Sequence, residues 1–137
     1  MTLLELHLVL VSFWFGVLAV EAVLELCARD AASRRTVALV HRWTDLLVEI
    51  PTALAVLVTG AVLLARAWPA PSLLLVKSGL GLSVVVAQLV SVPLVHARWK
   101  ADDDARVEAL TRRITAFGAI YPVAIATFIL GLYWTGH

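Results

Sequence analysis

The sequence predicts an all-α integral membrane protein, a single domain over residues 1–137 folded as an antiparallel four-helix bundle. Three observations carry this reading. Residues are 61% hydrophobic and only 15% charged, where a soluble domain is nearer one half and one quarter. The apolar residues gather into four runs, each close to the ~20 residues a helix needs to cross a bilayer. The runs are also too long and too evenly apolar for barrel strands, the one alternative to helices in lipid.

The first span is expected at Leu3–Leu26. It is too long for a secretory signal, and Glu5 stands where a signal carries positive charge, so it reads as a retained helix. The second span is expected at Thr44–Leu64, the third at Ser72–Val95 and the fourth at Ile114–Trp134. Basic residues fall in the first connection (Arg29, Arg34, Arg35, Arg42) and the last (Arg98, Lys100, Arg106, Arg112, Arg113), while the middle one has only Arg66. Positive charge stays in the cytoplasm. The expected orientation therefore puts both termini outside and two basic loops inside, in the plasma (inner) membrane of a bacterial cell. Trp68 and Trp134 fit an outer aromatic belt, and Trp43 and Trp99 an inner one.

Capping signals predict that helices two to four extend into the cytoplasm by two or three turns. Ser33 is placed to cap helix two, and the Asp102–Asp104 run to cap helix four. Pro51, Pro93 and Pro122 mark candidate kinks. The lone Cys27 excludes an internal disulfide and any CxxC knuckle. A net charge of +1 gives no sign of a nucleic-acid partner; the bilayer is the expected partner, with a homo-oligomer or a larger membrane complex open.

Ionisable groups inside a span cost roughly 2.5–3.5 kcal/mol each at its centre and usually mark function. At helical periodicity His7, Trp14, Leu18, Glu21 and Glu25 share one face of helix one. His41, Asp45, Thr52, Thr59 and Arg66 form a stripe on helix two with Glu49 at its flank. Lys77, Gln88 and Ser91 share a face of helix three, with His96 off to the side, and Arg113, Phe117, Tyr121 and Thr127 a broad face of helix four. Glu21, Glu25, Asp45 and Glu49 then fall at similar depths near the cytoplasmic boundary. Converging carboxylates repel in low dielectric, so they need protons, arginine partners or a bound cation. Carboxylate and imidazole ligands projecting inward from bundle helices suit zinc, iron or manganese. Glu21, Glu25, His41, Asp45, Glu49 and His96 are the candidate ligands for one or two transition-metal ions.

The stretches LHLVLVSFWFG in helix one and LLLVKSGLGLSVVV in helix three resemble HemJ-type protoporphyrinogen oxidases and the related CopD-like four-helix membrane proteins. The resemblance implies haem b, with His7 as axial ligand and Lys77 paired to a propionate. Two function classes thus stand beside a membrane metalloprotein with redox or hydrolytic chemistry. One is a haem- or porphyrin-binding oxidoreductase. The other is a proton or cation pathway, or a non-catalytic subunit of a membrane complex. No P-loop, Rossmann or nucleophile-elbow pattern occurs.

Overall fold

A computed structural model of the chain describes residues 1–135. All regular structure among them is helical: α1 (Leu3–Cys27), α2 (Ala31–Thr44), a π turn (Asp45–Glu49), α3 (Ile50–Arg66), α4 (Ser72–Trp99), α5 (Asp104–Gly118) and α6 (Tyr121–Thr135). Four stretches are long and apolar enough to cross a membrane: α1, the continuous Ala31–Arg66 rod, α4, and Asp104–Gly131. Large apolar side chains such as Val9, Val23, Leu47, Val58 and Ile129 point outward. The interior instead holds His7, Glu21, His41, Asp45, Glu49, Thr59 and Arg98. An apolar exterior of this extent is a liability in water and the normal surface of a protein in lipid.

The ends of the helices follow their capping chemistry. Thr2 and Glu5 form a reciprocal capping box on α1. Helix α2 is capped by Asp30 rather than Ser33: Ser33 N–H donates to Asp30 Oδ1 at 2.8 Å, and Ser33 Oγ accepts from Asp30 N–H at 3.2 Å. Asp wins because the residue three places on can return the bond, which Ser33 does from inside the helix. The hydrogen bonds from Ser33 hold the Asp30 carboxyl below its ordinary range. Asp103 caps α5 through Arg106 N–H at 2.7 Å, as the aspartate run predicts.

The prolines act unequally. Helix α4 runs through Pro93 without interruption. Pro51 follows the π turn, in which Ile50 N–H reaches back five residues to Asp45 O. Proline lacks an N–H and crowds the carbonyl four residues earlier; the wider turn takes up that crowding, and Thr52 Oγ donates to Val48 O at 2.6 Å. Pro122 stands at the start of α6, just past a break where Ala119 and Ile120 N–H bond back three residues to Ala116 and Phe117. Gly118 before the break and Pro122 after it match the usual end-and-restart pattern.

Helix α1 buries His7, Trp14, Leu18 and Glu21, the stripe expected from its spacing. In helix two the buried series is His41, Asp45, Glu49, Ala53 and Thr59, so Glu49 is central rather than flanking. At 100° per residue a spacing of four drifts by about 40° per step. The π turn removes that drift and keeps all of them facing inward. Helix four departs from its expected face: Arg113 and Phe117 are exposed, while α5 buries Val107 and Leu110. The break at Ala119 interrupts the periodicity on which that expectation rested. The side chains of Tyr121 and Trp134 lie outside the described residues.

Two apolar clusters hold the bundle. Trp14, Leu18, Ala53, Val84, Val85 and Ala124 pack at mid-height, with Phe15 stacked on Phe128 at 5.7 Å. Val107, Leu110 and Ala101 pack at the basic end. There α2 and α5 are cross-braced by Arg34 with Glu108 and by Arg35 with Asp104 at 2.8 Å, and Arg35 Nε donates to Ala101 O at 3.1 Å.

Candidate functional site

Near the basic end, α1 and the π turn bring three carboxylates together. Glu21, Asp45 and Glu49 each offer an oxygen within 4.8 Å of the others, and they are 6%, 2% and 0% exposed. Among the described residues none of the three pairs with lysine or arginine. Their neighbours are neutral donors. Thr44 Oγ donates to Glu21 Oε1. Gln88, reaching across from α4, donates through Nε2 to Asp45 Oδ1 at 3.2 Å and to Glu49 Oε2. Asp45 Oδ2 and Glu49 Oε1 remain buried without a hydrogen-bond partner.

Two ionised carboxylates at this separation repel by about 3 kcal/mol even at an effective dielectric of ~20. Full ionisation of all three therefore requires a compensating positive charge, and without one the cluster retains protons. Beside it lies a cavity of about 420 Å³ whose walls include Glu21, His41, Asp45, Gln88 and Ser91. Gly118, Ala119 and Ile120 of the α5–α6 break also line it.

Glu25, the fourth carboxylate at this level, has a different environment. Arg98, 0% exposed, grips both of its oxygens, Nη1 to Oε2 at 2.8 Å and Nη2 to Oε1. His41 Nδ1 lies 3.3 Å from Glu25 Oε1. The His41 ring is buried and its Nε2 has no partner. The sequence-predicted ligands thus divide. Glu21, Asp45 and Glu49 converge, His41 borders them along the cavity wall, and Glu25 is committed to Arg98. His96 sits apart, its ring 5.7 Å from Trp99 in an edge-on contact and lining another groove.

His7 and Lys77 lie toward the other end of the bundle. Thr59 Oγ lies 2.7 Å from Ala55 O and 2.8 Å from His7 Nδ1; with its single proton given to Ala55 O, the ring nitrogen is the donor. That tautomer leaves Nε2 with its lone pair. A Cβ on Gly60 would stand 3.2 Å from His7 Cε1, and one on Gly131 only 2.9 Å from Lys77 Cε. Both glycines are therefore the clearance that the two side chains occupy.

Sequence reasoning gave Thr44 no role, and it placed Thr59 and Gln88 on their helix faces without their roles as the His7 partner and the carboxylate bridge. A signal existed for one of them, since Gln88 is the only carboxamide in the chain and sits within an apolar run. The hydroxyls carried little sign of a partner, because threonine in a membrane helix commonly bonds its own backbone. No protein-family model, curated protein or solved structure matches the chain.

Proposed function

We propose that the chain is an integral membrane metalloprotein that holds one divalent transition-metal ion between α1 and the π turn, with Glu21, Asp45 and Glu49 as its ligands. The observation that carries this reading is the pair of buried, unpartnered oxygens, Asp45 Oδ2 and Glu49 Oε1, in a three-carboxylate cluster with no lysine or arginine partner among the described residues. A hydrogen-bonded carboxylate is a well-oriented ligand, and Thr44 and Gln88 supply that support from outside the cluster. His41 Nε2, on the same cavity wall, is the nitrogen available to complete the set. Glu25 is left out because Arg98 holds both of its oxygens, and His96 because it lines a separate groove.

The oxygen-rich donor set favours manganese or ferrous iron over zinc, whose sites draw mainly on cysteine and histidine. Such an ion supplies Lewis-acid or redox chemistry, and the cavity gives a small ligand room beside it. The arginines and Lys100 of the α1–α2 and α4–α5 ends support an orientation with this end of the bundle in the cytoplasm and the termini outside the inner membrane.

The test is elemental analysis and an optical spectrum of protein purified from metal- and haem-replete cells. Near-stoichiometric manganese or iron is expected in the parent protein, with a fall of at least tenfold in Glu21→Ala and in Glu49→Ala. Equal, substoichiometric metal in all three proteins would eliminate the metal reading and leave a cluster neutralised by protons. A Soret band that His7→Ala weakens would move the function to the opposite end, where His7 Nε2 is the free axial donor and Lys77 the propionate partner.

A further inference from the structure

A second site lies outside the bundle at the basic end. The last turns of α4 and the first turn of α5 enclose a groove of about 650 Å³ lined by Val92, Pro93, His96, Ala97, Lys100 and Arg106. Its composition is graded. Val92, Pro93 and Ala97 form the part nearest the apolar middle of α4, and Lys100 and Arg106 form the rim. From Val92 to Lys100 the helix rises about 12 Å, enough to run from the outer acyl region through the headgroup layer. The level is marked independently. Arg42 stacks over Trp99 at 4.5 Å and over Trp43 at 5.5 Å, and tryptophan favours the membrane–water interface.

The two rim cations are free to meet an anion. Arg34, Arg35 and Arg98 are each paired with a carboxylate, whereas Lys100 and Arg106 form no ion pair among the described residues. The acids nearest Arg106 in sequence are engaged elsewhere: Asp104 pairs with Arg35, Glu108 with Arg34, and Asp103 is turned to the α5 cap, where it accepts the Arg106 backbone N–H. Among the described residues, no acidic side chain lines the groove. We infer that this groove binds one anionic phospholipid, its phosphate between Lys100 and Arg106 and the head of an acyl chain against Val92 and Pro93. Charge complementarity and the apolar floor select this occupant over a soluble anion, which would use the rim alone.

Native mass spectrometry of protein extracted from nanodiscs of mixed phosphatidylglycerol and phosphatidylcholine tests the site. One phosphatidylglycerol is expected to be retained preferentially. A cation near the membrane surface is worth about fivefold in binding to anionic lipid, so Lys100→Gln/Arg106→Gln is expected to weaken retention by about 25-fold. Both side chains are exposed, and the variant is expected to melt with the parent. Arg112→Gln/Arg113→Gln removes the same charge from an exposed part of α5 and is expected to leave retention unchanged. Equal retention of the two lipids, equal loss in the two double variants, or full competition by inorganic phosphate would each overturn the inference.

Discussion

Arg98→Met is expected to destabilise the bundle by about 3 kcal/mol, the low end for breaking a buried ion pair. The low end applies because the Glu25 side chain keeps 21% of its exposure. Arg98 itself is fully buried and joins α4 to α1 through Glu25, with Thr111 of α5 at 3.5 Å. Removing it strands a carboxylate whose remaining close side-chain neighbour of basic type, among the described residues, is the His41 ring at 3.3 Å. Most of the cost is the stranded charge, so the double variant Glu25→Gln/Arg98→Met is expected to recover more than half of it. Thermal unfolding of the three variants in one detergent measures both numbers. A double variant as unstable as Arg98→Met alone would mean that the arginine acts through packing rather than through Glu25.

Glu49→Gln is expected to change stability in opposite directions with and without metal. In chelator-treated protein the substitution removes one member of a mutually repelling trio, and a gain on the order of 1 kcal/mol is expected, the worth of about one pKa unit. With manganese at 100 times its Kd, the parent gains about 2.7 kcal/mol, and the variant, lacking a ligand oxygen, gains little. The order of melting temperatures therefore reverses between the two conditions. A variant that melts above the parent in both, with no response to manganese, identifies a proton-holding cluster. A variant that melts below the parent in both identifies Glu49 as a structural acceptor for Gln88.

Much of the architecture was legible because its signals are local. Four apolar runs set the four long helices, and the His7–Trp14–Leu18–Glu21 stripe is buried as its spacing requires. The capping of α5 by the aspartate run was equally local. What escaped depends on deviations from regular geometry or on distant partners. Glu49 read as a flanking residue because a uniform α-helix was assumed, and the π turn moves it to full burial. The break at Ala119 split a helix whose apolar pattern looks continuous. Four carboxylates at one depth were visible, but their division was not. Arg98 lies 73 residues from Glu25, and no spacing rule distinguishes the acid it takes from the three it leaves.

The π turn also fixes the azimuth of everything that follows it along the same rod. Thr59, which orients His7, comes after the turn, whereas His41 comes before it. Taking one residue out of the turn would rotate the later segment by about 100° relative to the earlier one, carrying Thr59 away from His7. The two ends of the molecule are thereby geared to each other: the same widened coil that seats Glu49 sets the bearing of the imidazole's anchor at the far side of the bilayer.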